Sequence, residues 1–554
     1  MRPRLFPLLG FALLPLGAAA ATGPAAADII TPEEIFRHVR VLASDEFEGR
    51  GPGTVGEDRT VAYLIDQLKQ LGLEPGNPDG TYVQNVPVTG FAATPAMSFT
   101  AGDRRMELTP VTDFVASSHR LQTEVSVKES EVVFVGYGVV APEYGWNDYK
   151  DVDVRGKTIL MLIGDPPVPD PKDPTKLDES MFRGKAMTYY GRWTYKYEIA
   201  AAKGAAAAII VHETGPAAYP WGVVTGSWGG ESCSLVSAQG NADLVAVEAW
   251  ITRERAESLA QAAGRDFAAL KQAALRRDFR PVPLGVRAAI TVANRRRDIT
   301  TRNVVGRIPG ADPRLREEVL IYSAHWDHLG RDPRRAGDQI FHGARDNASA
   351  VGGLLAIARA YRALPQPPRR SLLFLFTSLE EKGLLGARYY VLHPLYPLAR
   401  TVAVINKDGL NPYGPTRDVA LTGDDNSTLV DLLREQAAAQ GRRVVPDPKP
   451  ENGSYYRSDH FEFAQAGVPA LDTGSGIDFV GQPAGWGLQR LDDFIAHDYH
   501  KPSDTIKPDW TFGGGVQDAQ LLFAVGLAAA NAETRPEWKP GSEFKARRDA
   551  LLPP

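Results

Sequence analysis

The chain has almost no cysteine: Cys233 is the only one among 554 residues. A single thiol excludes a framework of disulfide bonds within the chain and a zinc site built from several cysteines. Positive charge is not in excess either, because 62 Lys and Arg residues stand against 67 Asp and Glu residues, for a formal net charge of -5. Phosphate binding needs a basic face, so we expect no nucleic acid partner. Any metal must be bound by histidines and carboxylates.

Two common hydrolase motifs are also missing from the sequence. There is no H-E-x-x-H segment and no G-x-S-x-G segment, which excludes simple one-zinc metalloproteases and serine hydrolases with a nucleophile elbow. Residues 472–475 spell DTGS, as in aspartic proteases, but that chemistry needs two aspartates that share a proton. No second copy exists in the chain, so we expect a turn at the end of a strand there.

The N-terminal segment is not expected to belong to the fold. Arg2 and Arg4 form a positively charged start, residues 5–16 are apolar and residues 17–21 are small, which is typical of a secretory signal peptide. We assign residues 1–21 to this signal peptide. The alternative is an uncleaved membrane anchor, but the apolar run is shorter than the ~20 residues that a spanning helix needs. The mature protein is expected to be exported, to the periplasm or the extracellular space, without stable membrane insertion.

The chain is longer than one hydrophobic core usually serves, so two domains are expected. Near Ser126 the pattern changes from helices to strand-like apolar runs that end at glycines, and it changes back after a basic triplet, Arg295–Arg297, which we interpret as a solvated loop. We therefore assign residues 126–295 to an inserted module, and residues 30–125 and 298–535 to a discontinuous main domain. Residues 536–554 are assigned to a C-terminal tail.

The last third of the chain alternates short apolar runs with helical patterns, which favours an α/β fold. The runs Val319–Ser323, Leu372–Thr377 and Val402–Ile405 are continuously apolar, as in strands buried on both faces, and Val351–Tyr361 and Leu429–Ala439 are predicted helices between them. In an open, mostly parallel sheet, ligands bind outside the carboxyl ends of the strands. The residues that follow each strand are therefore the candidates for function.

Each of those three strands is followed by residues that commonly bind metals, and further ones lie between and after them. Singly, each has an ordinary interpretation as a hydrogen-bonded histidine, a helix N-cap or a solvated acid. Together, at successive strand ends in a chain poor in cysteine, they favour a centre built from histidines and carboxylates. The candidates are His325, Asp327, His328, Asp346, Glu380, Glu381, Asp408, His497, Tyr499 and His500.

Five segments in this order, HWDHLG, GARDNASA, EEKGLLGARYY, NKDG and YHKPSDT, resemble the co-catalytic di-zinc exopeptidase family. That family includes bacterial leucine aminopeptidases and glutamate carboxypeptidase and, as degenerate relatives, transferrin receptors. The module with VFVGYGV, YKDVDVRGKTILML and AAAKGAAAAIIV is similar to the protease-associated (PA) domain often inserted in these enzymes. The resemblance implies a three-layer αβα domain with a mostly parallel central sheet, plus an inserted β-rich PA domain.

The resemblance also implies two Zn²⁺ ions per chain and a set of metal ligands. One metal would be bound by His325 and Asp408, and the other by Glu381 and His500, with Asp346 bridging both. Each metal then has three protein ligands and an open position, as catalytic sites do.

The other roles are implied in the same way. Asp327 would orient His325 by a hydrogen bond, and Glu380, next to a ligand but not one itself, would be the general base. Tyr499, adjacent to His500, would donate to the tetrahedral oxyanion. His460 is the histidine we would favour as a substrate-pocket residue.

The function expected from the resemblance is hydrolysis of peptides or proteins, most simply by an aminopeptidase. The alternatives are a carboxypeptidase or a glutaminyl cyclase-like enzyme of the same fold, and a non-catalytic binding ectodomain of the transferrin-receptor type. An aminopeptidase needs carboxylates for the α-ammonium group, and a carboxypeptidase needs arginines. The loop acids near the motifs outnumber the arginines and favour amine recognition: Asp424, Asp425, Asp459, Glu462 and Asp478 against Arg345, Arg417 and Arg457.

Overall fold

The computed structural model describes residues 23–150, 152–228 and 230–552, so the predicted signal peptide lies outside the described residues. The helices are α1 Gly23–Ala27, α2 Pro32–Leu42, α3 Val55–Gln70, α4 Trp193–Ala202, α5 Thr214–Ala217, α6 Trp221–Trp228, α7 Arg253–Ala262, α8 Phe267–Ala273, α9 Ala350–Arg362, α10 Leu385–Leu392, α11 Thr428–Ala439, α12 His460–Gln465, α13 Trp486–His497, α14 Gly513–Asn531 and α15 Lys545–Leu551. The strands are β1 Glu74–Pro75, β2 Val83–Ala101, β3 Arg104–Leu108, β4 Phe114–Ser117, β5 Glu124–Phe134, β6 Val140–Ala141, β7 Trp146–Asn147, β8 Thr158–Leu162, β9 Ala207–His212, β10 Ser232–Ser234, β11 Val247–Thr252, β12 Val282–Ile308, β13 Val319–His325, β14 Ser371–Thr377, β15 Thr401–Asn406, β16 Asp418–Leu421, β17 Arg443–Pro446, β18 Ala470–Leu471 and β19 Thr473–Gly474.

A mostly parallel sheet forms the middle layer of the main domain, in the strand order β18-β15-β13-β14-β12. β13 pairs in parallel with both β14 and β15, and β12 joins β14 in the antiparallel direction. Along β13, Leu320 and Tyr322 pack in one core with helices α2, α3, α9 and α14, whereas Val319 and Ile321 pack with α10 and α12 on the opposite face. Both faces are covered, which explains the continuous apolar runs. The predicted α/β class with a mostly parallel sheet is confirmed.

The helix signals in the sequence have the expected local causes. Thr31 caps α2, since its hydroxyl accepts a hydrogen bond from the backbone N–H of Glu34 at 3.3 Å, and Pro32 occupies the first helical position. Helices α9 and α11 lie where helices were predicted. Among the described residues, no helix combines the length and apolarity needed to cross a lipid bilayer.

Strand β12 links the two halves of the molecule. Its carboxyl-terminal part, from Val304 to Ile308, pairs with β14, and its amino-terminal part pairs with β5. It also pairs with β2, from Arg287↔Thr100 to Val304↔Val83, a range that overlaps its pairing with β5. The sheet of the main domain therefore continues through β12 into a second group of strands, in the order β5-β8-β9-β11-β4.

This second group of strands forms the middle module. β5, β8, β9 and β11 are parallel and β4 is antiparallel to β11, with separate apolar cores on its two faces. Met97 and Phe114, which precede the assigned boundary at residue 126, pack in one of these cores. The division of the chain into domains and the identity of the module as a PA domain stay predictions.

One local interpretation of the sequence is wrong. The basic triplet Arg295–Arg297 is not a loop but part of β12, paired with residues 90–92 of β2. The arginine side chains are exposed. Three consecutive charged residues are typical of a loop, but the backbone pairing with β2 continues before, through and after the triplet. In the predicted tail, Trp538 is buried and donates its indole N–H to the Gly467 carbonyl at 2.9 Å.

We predict that Gly526→Ala destabilises the main domain, whereas Gly226→Ala does not. A Cβ atom at Gly526, inside α14, would overlap the buried Tyr322 hydroxyl, but one at Gly226, inside α6, would meet no atom within 4 Å. Overpacking costs about 1–3 kcal/mol, while alanine in an open helical position favours folding by about 0.5–1 kcal/mol. Urea unfolding of both variants measures the difference, and equal free energies of unfolding would contradict this packing.

Candidate active site

The carboxyl ends of three neighbouring parallel strands bring four candidate residues to one edge of the sheet. His325 is the last residue of β13, Glu380 and Glu381 form a tight turn directly after β14, and Asp408 follows β15 by two residues. The turn after β14 starts at Leu379, whose φ of 55° is in the left-handed region that branched side chains rarely adopt. This conformation reverses the chain, so that both glutamates lie at the strand ends.

Two further candidates reach this edge from outside the sheet. Asp346 lies in an irregular turn, Ala344–Ser349, immediately before α9. His500 follows α13 and also has a left-handed backbone, with a φ of 56°. Strained backbone of this kind persists where the surrounding structure determines it, often at functional sites.

His325 faces several carboxylates at once. Its Nε2 atom lies 3.3 Å from Oδ1 of Asp346, 3.4 Å from Oδ1 of Asp408 and 3.9 Å from Oε2 of Glu380. The side chain of His325 is only 1% exposed. One ring nitrogen carries at most one proton, so a hydrogen bond satisfies only one of these acceptors. A cation between them would satisfy all.

His500 faces the other side of Asp346. Its Nε2 atom lies 3.4 Å from Oδ2 of Asp346 and 3.0 Å from Oε2 of Glu381. The second oxygen of Glu381 is 2.6 Å from Nδ1 of His328, a fully buried ring. The two oxygens of Asp346 therefore face one imidazole each, at nearly equal distance.

The site contains more buried carboxylates than histidines that face them, and the pKa values of these groups reflect the excess of negative charge. Burial raises the pKa of Glu380 well above its ordinary value, and His325 offsets only part of this effect. Burial alone would lower the pKa of His500, but Glu381 and Asp346 together raise it to about 10. Burial alone would raise the pKa of Asp346, but His325 and His500 hold it well below its ordinary value. The carboxylates thus require positive charge between them.

Asp327 and Tyr499 contact the site in ways that differ in detail from the sequence prediction. The Nδ1 atom of His325 lies 3.1 Å from the backbone carbonyl of Asp327 and 3.8 Å from its carboxylate. That carboxylate instead accepts hydrogen bonds from the backbone N–H groups of Glu380, at 3.1 Å, and Glu381, at 3.4 Å. Tyr499 stacks on the His500 ring, with centroids 3.9 Å apart, and its hydroxyl accepts from Arg457 at 3.4 Å.

Two residues that hold the Asp346 turn were missed by sequence reasoning. Arg50 is 1% exposed and donates to the carbonyls of Trp326, Leu42, His342 and Gly343 at 2.7–2.9 Å. It also donates to the Asp346 carbonyl at 3.4 Å.

On the other side of the same turn, the Asp504 carboxylate accepts from the backbone N–H groups of Arg345 at 3.1 Å and Asp346 at 3.0 Å. Its place in the YHKPSDT segment, four residues after His500, was the one available signal.

Several other candidates lie away from the site. His460 is fully buried at the start of α12, where it packs against the ring of Tyr455. It lines neither of the two cavities at the site, so its prediction as a substrate-pocket residue is wrong. His342 bonds to the Ala43 carbonyl and Asp338, and His497 is exposed.

Four of the five loop acids also lie away from the site, whereas Glu462 lines the second of the two cavities. Asp424, Asp425 and Asp478 form ion pairs with surface arginines and lysine, outside the cavities. Asp459 is buried against the Thr377 hydroxyl. Their number in the sequence is therefore no argument for amine recognition.

Two cavities meet at the cluster. The first, of about 270 Å³, lies on the main-domain side, and its lining includes Phe479, Leu491, Phe494, Ile495 and Asp408. Residues 472–476, which include the DTGS segment, also line it. The turn expected at DTGS is wrong, because Thr473–Gly474 form strand β19, which pairs with β16.

The second cavity, of about 210 Å³, extends from Glu380 and Glu381 to Trp193 and Trp228 of the middle module. Glu380, Tyr499, His500, Arg457 and Tyr219 line both cavities. The middle module thus closes one side of the cleft.

Comparison with known proteins gives the family. Residues 303–524, which contain all the clustered candidates, match "Peptidase family M28". This match covers less than half of the chain, and we call the matched part the M28 domain. The predicted resemblance and enzyme class, a peptidase, are confirmed at the level of this family, while the PA domain stays a prediction.

The curated relatives match only part of this chain, and the chain matches only part of each relative. "Leupeptin-inactivating enzyme 1" of Streptomyces exfoliatus is 29% identical over 211 residues, 37% of this chain and 44% of that protein. A "Vacuolar membrane protease" of Saccharomyces cerevisiae is 33% identical over 126 residues, 23% of this chain and 11% of that protein. The chain therefore spans less than half of the length of these curated relatives.

Among solved structures, the "Aminopeptidase from Aneurinibacillus sp. strain AM-1" superposes with a TM-score of 0.52 at 18% identity, covering 94% of this chain and 97% of that chain. This likeness supports the fold, including the middle module, over nearly the whole length.

We predict that Arg50→Met destabilises the M28 domain strongly, whereas Arg287→Met does not. Removal of the Arg50 guanidinium leaves several buried carbonyls without a donor, which costs about 3 kcal/mol or more in total. Arg287 is an exposed arginine that donates to one carbonyl, that of Glu129, at 2.8 Å, and its loss should cost less than about 0.5 kcal/mol. Denaturant unfolding tests this, and similar losses would refute the anchoring role of Arg50.

Proposed function

We propose that this protein is an exported metallo-exopeptidase with two Zn²⁺ ions per chain, and that it acts as an aminopeptidase. The observation that carries the proposal is the position of Asp346, whose two oxygens face Nε2 of His325 and Nε2 of His500 at 3.3 and 3.4 Å. A carboxylate placed symmetrically between two imidazoles suits a ligand shared by two metals.

Three of the four histidine–carboxylate distances fit zinc better than direct hydrogen bonds, and the fourth, from His500 to Glu381, is 3.0 Å. Two ligand atoms bound at about 2.1 Å to one tetrahedral ion lie about 3.4 Å apart. Nitrogen–oxygen hydrogen bonds have their mode at about 2.9–3.0 Å, whereas His325 lies 3.3 Å from Asp346 and 3.4 Å from Asp408. We assign His325 and Asp408 to one ion, Glu381 and His500 to the other, and Asp346 to both.

Imidazole and carboxylate donors are the set expected for zinc in a chain with one cysteine. When bound, the two ions would supply Lewis-acid activation of a water molecule and of the scissile carbonyl.

Glu380 is the residue we assign as general base. Its side chain is 9% exposed and lines both cavities, so it faces the position where the scissile bond must lie. A carboxylate there accepts a proton from the attacking water on Oε2 and returns it to the leaving amine. The Asp327 carboxylate, bonded to the backbone N–H of Glu380, fixes the turn that presents it; we assign Asp327 to positioning rather than to chemistry.

Tyr499 is assigned to the developing oxyanion. Tyr499 lines both cavities next to His500, and its hydroxyl accepts a hydrogen bond from Arg457, so its own proton is available to donate. Burial raises the pKa of Tyr499 far above its ordinary value, so the hydroxyl keeps its proton. A donor of this kind is worth about 3 kcal/mol in the transition state.

The aminopeptidase assignment rests on the first cavity and on the relatives. Its aromatic and aliphatic side chains suit an apolar N-terminal side chain, and two carboxylates of its lining, Asp408 and Asp472, suit the α-ammonium group. The solved structure of similar fold is an aminopeptidase. Export to the periplasm or the extracellular space is proposed from the N-terminal sequence alone.

We predict that Glu380→Gln and Glu381→Gln act differently. Glu380→Gln should keep two zinc ions per chain and lower kcat by several orders of magnitude, because a base acts in the transition state. Glu381→Gln should lose metal, because it removes a charged ligand. Metal analysis and kcat on one aminoacyl substrate test both, with the exposed Glu317→Gln as control. If the two active-site variants lose metal alike, the assignment of their roles is wrong.

We also predict that acetylation of the substrate N-terminus lowers kcat/KM at least about thirtyfold. Loss of the α-ammonium leaves the facing carboxylates without their partner, which costs about 2 kcal/mol or more. Paired assays of free and N-acetylated peptides measure this effect. Release of the C-terminal residue from acetylated peptides would show a carboxypeptidase with the same metal centre. Absence of any hydrolysis by the zinc-loaded protein would instead favour the binding ectodomain.

A further inference from the structure

The second cavity is lined by several basic side chains, and two of its arginines form no ion pair with the described part of the chain. Among the other charged groups, Glu248 lies 3.2 Å from His119, and Arg388 lowers the pKa of both Glu198 and Glu462, which burial raises. Glu380 and Glu381 belong to the proposed metal cluster, and Lys382 lies beside them in the lining. The two arginines without an ion pair are Arg192 and Arg457.

Arg192 belongs to the middle module and occupies the position immediately before α4. It is 9% exposed, its Nε atom is buried without a partner, and its guanidinium donates no hydrogen bond to any part of the chain that the structure describes. Burial, and then repulsion from Arg457, lower its pKa to about 10. A buried guanidinium without an anion is unfavourable by several kcal/mol, unless a ligand supplies the anion.

Arg457 lies across the same cavity, from the main domain. Its Nη2 atom donates to the Tyr499 hydroxyl at 3.4 Å, and its guanidinium carbon lies 5.4 Å from the Tyr219 ring centroid. No carboxylate of the described chain lies within 4.0 Å of its nitrogens in an ion pair. Both guanidinium groups therefore present donors to one space, next to the catalytic residues.

The arrangement of the cavities indicates which part of a peptide enters this space. The first cavity combines the apolar side chains Phe494 and Ile495 with the carboxylates of Asp408 and Asp472, so we place the N-terminal residue there. The scissile bond would then lie at Glu380, where the cavities meet. The part of the peptide beyond the scissile bond then enters the second cavity, towards Arg192.

We propose that Arg192 and Arg457 form a carboxylate subsite, so that the substrates are peptides with a negative charge directly after the scissile bond. This inference rests on the proposed function. The carboxylate is either the C-terminal group of a dipeptide or the side chain of an acidic second residue. Arginine forks bind either group in the same way.

The test compares four peptides that differ in this charge: Leu-Ala, Leu-Ala-amide, Leu-Glu-amide and Leu-Gln-amide. We expect kcat/KM for a charged peptide to exceed that of its neutral counterpart about 10- to 100-fold, mostly through KM, because a charge-assisted bond is made in both the ground and the transition state. The pair with the larger ratio identifies the source of the carboxylate. Ratios near one in the wild-type protein would overturn the proposal.

Arg192→Met should reduce the favoured ratio at least about tenfold, and Arg192→Lys should restore part of it. The matched control is Arg388→Met, which removes an arginine of the same cavity whose charge faces Glu198 and Glu462, and which should keep the ratio. Thermal unfolding without peptide separates binding from structure, because removal of an unpaired buried charge should not lower the midpoint. A ratio that survives in Arg192→Met, or falls equally in Arg388→Met, would contradict the assignment.

Failure of the proposed function gives a different result. Cleavage of acetyl-Leu-Ala that depends on Arg192 would refute the aminopeptidase and keep the carboxylate subsite. If no peptide is hydrolysed, calorimetric binding of the same four peptides to the wild-type and Arg192→Met proteins gives the comparison without turnover. Equal affinities for charged and neutral peptides would then reject the subsite.

Discussion

The structure depends on one buried carboxylate. Asp346 lies between two imidazoles whose nitrogens face its two oxygens at 3.3 and 3.4 Å, and three further carboxylates surround the same pair of rings. Like charges at this density in a buried site are unfavourable unless cations lie among them. The two divalent ions that we propose would resolve this conflict, and the same ions would supply the catalytic chemistry. The negative cluster and the proposed peptidase function would then have one structural cause.

The rest of the fold holds this arrangement in place. Parallel pairing of β13 with β14 and β15 brings His325, Glu381 and Asp408 to one edge, and this pairing is maintained by apolar layers on both faces. The Asp346 turn is fixed from two sides, by the Arg50 guanidinium and the Asp504 carboxylate. The long strand β12 carries the middle module, so that Tyr219 lies against the cleft.

Much of the site was predictable because it follows from strand ends. Continuous apolar runs such as Val319–Ser323 need cover on both faces and so predict parallel strands, and ligand-type residues after such strands must converge. Arg50 was not predictable, because its carbonyl partners lie up to 296 residues away in sequence and no local pattern encodes them. The interpretation of Arg295–Arg297 as a loop was wrong for a local reason, because three consecutive charged residues are typical of a loop, whereas here they lie in a strand paired with β2. Arg192 was not predictable either, because no sequence pattern shows that the fold places its guanidinium without a hydrogen-bond partner.

The central claim, that two metals share Asp346, is tested most directly by a crystal structure of the zinc-loaded protein with anomalous data collected on both sides of the zinc absorption edge. The account predicts two anomalous peaks, one on either side of Asp346. The first should be in contact with Nε2 of His325 and with Asp408, and the second with Nε2 of His500 and with Glu381. A single peak, or peaks away from Asp346, would contradict it.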